Sequence, residues 1–252
     1  MKQMRMLAKN LFSWSVKTSK CITLRFEEYL FPALCLLCDS AKETGSNWFC
    51  HECIEYLTIN STSRLGCIRC GQNLSIRKCS CAITWDYPFE KIYSIFDYDE
   101  KIQVLVQHIK YRGKKSLASS LASFSPFLPE LKKSYDAVIA VPLHWTRYRK
   151  RGYNQAEWFA KGIADQAALP LLTKTLLRSR GTGTQTKLDR SERRDNMKNA
   201  FRVDLKYQDV IIGKRVLLAD DVVTTGATTA SCAEALLESG CSSVGIVSIA
   251  RD

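Results

Sequence analysis

The chain has 252 residues, 46% of them hydrophobic and 25% charged, with a formal net charge of +12. This composition excludes a disordered polyelectrolyte and supports one sizeable core plus a smaller module. No run approaches the roughly 18 apolar residues that a membrane helix needs, so integral insertion is not expected, and the basic balance favours anionic partners such as nucleic acid or phosphorylated small molecules.

Residues 1–30 place Met4, Met6, Leu7, Leu11, Phe12, Trp14 and Val16 among Lys2, Arg5, Lys9 and Lys17. The spacing is that of a basic amphipathic helix. A long apolar core and a small-residue cleavage site are both missing, so the segment reads as a docking helix of a cytoplasmic protein. Contact with the inner membrane surface is the alternative.

Eight of the eleven cysteines fall between residues 35 and 81, as Cys35-x-x-Cys38, Cys50-x-x-Cys53, Cys67-x-x-Cys70 and Cys79-x-Cys81. Thiols at this spacing point the same way and can clamp one tetrahedral ion, so residues 31–88 read as a zinc module holding one or two structural Zn²⁺ ions. Gly71 follows the third pair, where a tight knuckle favours left-handed backbone. A disulfide framework would need an export signal, and a thioredoxin-like motif would be one CxxC pair rather than four. His51 reads as a bystander, and Cys21, Cys232 and Cys241 as isolated thiols. Trp48, Phe49, Arg64 and Arg69 are candidates to touch a partner, single-stranded nucleic acid or the second domain.

From about Phe89 to Asp252 the pattern becomes strand and helix by turns. Strands are expected at Ile92–Tyr98, Ala137–Val141, Arg215–Ala219 and Val244–Ala250, and helices at Lys101–Tyr111, Leu117–Phe127, Asn154–Ala168 and Thr228–Ser239. The predicted fold is α/β, a parallel sheet with helices on both faces. Basicity is concentrated in this half: residues 142–202 carry 14 Lys/Arg against 5 Asp/Glu. Their confinement to loops makes an anion site a better reading than a merely solvated face.

The stretch VLLADDVVTTGATT, residues 216–229, sets Asp220 and Asp221 at the carboxyl end of a buried strand, where open α/β sheets bind ligands. Small hydroxyl residues and Gly226 then lead into a helix N-terminus, whose free N–H groups and dipole suit a phosphate. Paired carboxylates can accept hydrogen bonds from a vicinal diol or hold hydrated Mg²⁺. A diol acceptor beside a phosphate cradle describes a ribose 5-phosphate. The stretch is neither a P-loop, which needs GK[ST], nor GxGxxG.

These residues resemble the motif with which type I phosphoribosyltransferases bind phosphoribosyl pyrophosphate (PRPP). Taken with FPALCLLC, HIKYRG, VPLHWTRYRKRGYNQAE and RGTGTQTKLDRSERRDNMKNAF, the chain after residue 31 is similar to the ComF family, also described as amidophosphoribosyltransferase-like or GntX-like. The resemblance implies that Asp220 and Asp221 bind the ribose hydroxyls, and that Thr224, Thr225, Gly226, Ala227 and Thr228 hold the 5-phosphate. Val222 and Val223 complete that motif. It implies a pyrophosphate loop with Pro142, Leu143, His144, Arg147, Arg151 and Asn154, and a mobile lid at 178–194. Asp220, Asp221, Arg147 and Arg151 are the candidates for catalysis. PRPP with Mg²⁺ and single-stranded DNA are the implied ligands, and a competence helicase and a DNA-processing protein the implied partners in natural transformation. The alternative is an active phosphoribosyltransferase of nucleotide salvage or nucleotide-linked metabolism, releasing pyrophosphate.

Overall fold

The apolar run Val216–Ala219 has no polar face to give to water, so it must be covered on both sides. It lies in β5 (Arg215–Val223), which sits inside a four-stranded sheet with β1 (Ile92–Asp97), β2 (Ala137–Ala140) and β6 (Ser243–Arg251). The order is β1-β6-β5-β2 and every pairing is parallel. A separate antiparallel pair joins β3 (Leu176–Arg178) to β4 (Phe201–Val203). The computed structural model describes residues 33–42, 48–62, 66–67, 69–75, 79, 81, 86–178 and 200–252. The basic segment 1–30 and the lid from residue 179 to 194 lie outside the described residues, as do Cys21 and Arg64.

The helices are α1 (His51–Thr62), α2 (Glu100–Tyr111), α3 (Lys115–Leu121), α4 (Leu128–Ser134), α5 (Trp145–Arg151), α6 (Gln155–Ala167), α7 (Gln208–Ile211) and α8 (Ala227–Glu238). Ile92, Ile246, Leu218 and Ile139 are register partners across the sheet, so they share a face. They join one buried cluster with Ala230, Ala233 and Leu236 of α8. Val138 and Leu217 point the other way, where α6 lies against β2 and β5 with Phe159 and Ile163 buried. Helices therefore flank both faces, as the alternating pattern predicts.

Two expectations change. The helix expected over 117–127 is α3, then a 3-10 turn at Ala122–Phe124, then a new helix from Leu128. Pro126 is the cause: it forces Ser125 into extended backbone. β5 does not stop at Ala219, because Asp220, Val222 and Val223 still pair with Ser248, Ala250 and Arg251. Both acids are therefore inside a strand rather than beyond its end. Contacts divide the chain into two compact units, one ending at Tyr56 and one, with the sheet, beginning at Leu57. The Cys67–Cys81 segment belongs with the sheet because it hydrogen-bonds to its edge: Ile92 N donates to Arg69 O at 2.8 Å.

Candidate functional site

Parallel neighbours bring their carboxyl ends together, so the loops after β2 and β5 emerge side by side. Val141 N donates to Ala219 O at 2.9 Å, and Asn154 Nδ2 holds the carbonyl of Val141 at 2.9 Å. Asn154 also caps α6 through Ala156 N, as its position before the helical pattern suggests. The loop after β5 turns at Gly226, whose φ of +79° is open to glycine at little cost, and α8 starts directly after it. Among the described residues the amides of Thr224, Thr225, Gly226 and Thr228 have no acceptor, and only Ala227 N reaches a side chain, Thr225 Oγ1 at 3.4 Å. That is an anion cradle of backbone donors.

The two acids diverge, because successive strand residues face opposite sides. Asp221 is buried on the α6 side. Its Oδ2 pairs with Lys110 Nζ at 3.0 Å and accepts from Gln155 Nε2 at 3.1 Å; its Oδ1 accepts from Val222 N at 2.9 Å. Asp220 shares the face of Leu218 and Ile139, is partly exposed, and among the described residues accepts from Asp221 N, through Oδ1 at 2.8 Å. Desolvation, reinforced by the charge of Asp221 beside it, pushes the Asp220 carboxyl well above its ordinary range.

The loop after β2 carries Pro142, Leu143 and His144, then α5. His144 caps α5: its Nδ1 takes Thr146 N at 3.4 Å and lies 2.7 Å from Thr146 Oγ1. Burial, then the positive field of Arg178 and Arg147, lowers its pKa, so it is neutral at pH 7. Arg147 and Arg178 thus share one neighbourhood with Asp220. Arg151 does not join them; it stacks over the Tyr111 ring at 5.2 Å, at the end of α2. Between this loop and the β3–β4 pair opens a cleft of about 900 Å³. Its walls mix Ile139, Leu172 and Trp145 with Arg149, Lys174, Arg178 and Arg202. Trp145 is 59% exposed and the Arg149 guanidinium lies over its ring at 5.0 Å.

The eight cysteines form two groups of four, Cys35/Cys38/Cys50/Cys53 and Cys67/Cys70/Cys79/Cys81, each with its sulfurs within 4.8 Å of one another. Separations such as 3.6 Å for Cys38–Cys50 and 3.4 Å for Cys67–Cys81 approach the roughly 3.8 Å edge of a tetrahedron with ~2.3 Å metal–sulfur bonds. Cys79 and Cys81 are closer, at 2.9 Å, as their single-residue spacing requires. Hydrogen bonds from Ser40 bring Cys38 down to about 6. At Cys67 burial opposes ionisation, but the backbone N–H groups of Cys70 and Arg69 still bring the thiol to about 6. A thiolate is what a metal needs. The donor set fits two closed structural sites. His51 is in neither.

The two knuckles are alike. Cys35 N donates to Ser40 O and Cys67 N to Gln72 O; Asp39 N donates to Cys35 O and Gly71 N to Cys67 O. Asp39 and Gly71 both take positive φ, 57° and 68°. Sequence reading finds no internal repeat here, because only the cysteines and the backbone geometry recur. It also passes over Lys110 and Gln155. The available signal was Lys110 standing four residues after buried Val106, on the flank of the apolar stripe of α2.

No family model matches the chain. It is 29% identical over 230 residues to DNA utilization protein YhgH of Escherichia coli O157:H7, covering 87% of this chain and 97% of that protein. It is 29% identical over 236 residues to competence protein ComFC of Streptococcus pneumoniae, covering 86% and 99%. The similarity to the ComF family thus extends over most of the chain. Among solved structures, glutamine PRPP amidotransferase from B. subtilis, complexed with ADP and GMP, matches 54% of this chain and 26% of its own, at 22% identity and a TM-score of 0.33. No helix among the described residues is long and apolar enough to cross a membrane.

Proposed function

We propose that the carboxyl end of the sheet binds PRPP with Mg²⁺ and that the chain serves the uptake and use of single-stranded DNA. One observation carries the first part. The adjacent ends of β2 and β5 present a carboxylate, a cradle of unspent amides and a cation-bearing loop together. Those are the groups that a ribose, a 5-phosphate and a pyrophosphate each require. In this reading the 224–228 loop receives the 5-phosphate and Asp220 a ribose hydroxyl. Asp221 is held by Lys110 and Gln155, so it reaches the sugar or the Mg²⁺ shell only by exchanging partners. Arg147 and Arg178 face the pyrophosphate, and neutral His144 donates a hydrogen bond rather than a charge. The cysteine groups hold zinc, which maintains the local fold and takes no part in chemistry.

The names of the relatives, DNA utilization and competence proteins, support the second part. So does Trp145, an exposed ring with a guanidinium laid over it at the mouth of a basic cleft, which is a stacking platform for a nucleobase. Transfer of the phosphoribosyl group to an acceptor would need a base beside the anomeric carbon, and the carboxylate among the described residues lining the cleft is Glu157, its pKa raised by burial. On the names of the relatives the reading is of a PRPP-responsive DNA-handling protein, with transferase activity as the alternative.

Calorimetric titration of Mg²⁺–PRPP into the full chain tests it. Wild type binds and Asp220→Asn binds at least tenfold more weakly. A wild type that takes up no PRPP at millimolar concentration ends the reading. Pyrophosphate release dependent on an added acceptor would convert it to a transferase.

A further inference from the structure

Three successive carbonyls of the phosphate loop are tied from behind by groups that the loop motif does not contain. Arg251 Nη1 donates to Val223 O at 2.9 Å and also to Thr224 O. Tyr87 Oη donates to Thr225 O at 2.6 Å. A trans peptide points its C=O and the next N–H in opposite directions. Holding these carbonyls on one side therefore aims the N–H groups of Thr224, Thr225 and Gly226 to the other, where the cradle opens. The charge-assisted bonds from Arg251 are the stronger of the set.

Arg251 is anchored to the second cysteine group and Tyr87 to the core under the sheet. Arg251 Nε donates to Cys70 O at 3.3 Å, and the same knuckle is fixed to the sheet edge by the Ile92–Arg69 backbone bond and by Asn73 with Asp97. Gly71 packs so closely that a Cβ there would lie 2.8 Å from Ile92 O. Tyr87 follows Cys81 by six residues and stacks on buried Phe89, with ring centroids 5.1 Å apart. A Cβ on Gly226 would come within 3.4 Å of the Tyr87 ring.

We infer that Tyr87 and Arg251 are positioning residues that aim the amides of the phosphate loop, and that the Cys67–Cys81 group is the platform on which Arg251 stands. The inference rests on the PRPP reading for its ligand. It gives this cysteine group a second task besides local folding: loss of its metal loosens a phosphate site that contains no cysteine. An outer layer of this kind fixes the groups that touch ligand without touching it.

The test uses the full, zinc-loaded chain with two probes, ribose 5-phosphate for the 224–228 loop and Mg²⁺–pyrophosphate for the loop after β2. Tyr87→Phe and Arg251→Lys each weaken ribose 5-phosphate about tenfold and leave Mg²⁺–pyrophosphate within twofold. Simple destabilisation would weaken both probes alike and would overturn the assignment. Backbone order parameters of the Thr225 and Gly226 amides give a readout that needs no ligand. They fall from about 0.85 to below about 0.6 in the Tyr87 and Arg251 variants, and that of Thr225 falls likewise in Cys79→Ser, while β5 and β6 keep wild-type values. Unchanged order parameters in the Tyr87 and Arg251 variants overturn the positioning role, whether or not wild type binds either probe. Wild-type order in Cys79→Ser overturns the platform. Failure of wild type to bind ribose 5-phosphate, with order lost as expected, removes the PRPP reading and leaves the positioning role standing.

Discussion

Replacing Lys110 by methionine tests whether the Asp221 carboxylate is held by charge. The pair is 3.0 Å apart, with side chains 22% and 12% exposed. At an effective dielectric constant of about 20 the attraction is about 5 kcal/mol, most of it offset by the water that both groups give up. Removing one partner of a fully buried pair costs about 3–5 kcal/mol. Asp221 keeps Gln155 Nε2 and Val222 N and the pair is partly exposed, so Lys110→Met should cost less than that range, about 2 kcal/mol. Asp221→Asn should cost about 1 kcal/mol, since lysine can extend its ammonium toward solvent. With both changed, little charge is left stranded, and the double variant should be about 1–2 kcal/mol more stable than the sum of the single losses implies. Urea unfolding of the four proteins measures this coupling directly. A double loss equal to the sum within about 0.5 kcal/mol would show that the two groups do not depend on each other, and that Asp221 is free for ligand without exchange.

Gly245→Ala should be severely destabilising, because a Cβ there would meet Tyr135 Oη at 1.9 Å and Cζ at 2.3 Å, and Tyr135 is only 3% exposed. A loss of about 3 kcal/mol is expected, with part recovered in Gly245→Ala/Tyr135→Phe because the hydroxyl is the nearest atom; thermal melts that rank the double variant below the single refute this. Asp136 is held down to about 2 by hydrogen bonds from Arg215, against an ordinary 3.8. A depressed carboxylate contributes stability above its unfolded value and loses it as pH falls through the folded one, so the contribution fades between about pH 4 and pH 2. The pair is well exposed and screened, so its effect is small. Urea midpoints of wild type and Arg215→Gln should differ at pH 5 and converge near pH 2.

The sheet was legible because buried parallel strands write themselves as unbroken apolar runs, as at Ala137–Ala140 and Val216–Ala219, bounded by helices with a clear stripe such as Ile102, Leu105, Val106 and Ile109. The cysteine groups were legible for a different reason: thiol spacing is local, so the chain displays it directly. Contacts made across long separations left no such trace. Tyr87 meets Thr225 and Arg251 meets Cys70 only because β1, β6 and β5 are neighbours, an order that sequence periodicity does not encode. The β3–β4 pair, three residues to a strand, is too short for any period to register.

The paired acids show how adjacency in sequence hides geometry. Adjacent residues look like a two-toothed clamp when written in a row. Inside a strand the pleat sends them to opposite faces, so in this structure only Asp220 is left without a side-chain partner among the described residues. Asp221 spends both oxygens on Lys110, Gln155 and a backbone amide, while Asp220 keeps Oδ2 without a partner among the described residues. Desolvation, with a second charge one residue away, raises the pKa of Asp220 and favours its neutral form. A divalent cation at the strand end would offset that repulsion, so its binding would favour proton release at Asp220. The pair therefore divides: Asp221 anchors the strand end to α2 and α6, and Asp220 Oδ2 has no partner among the described residues.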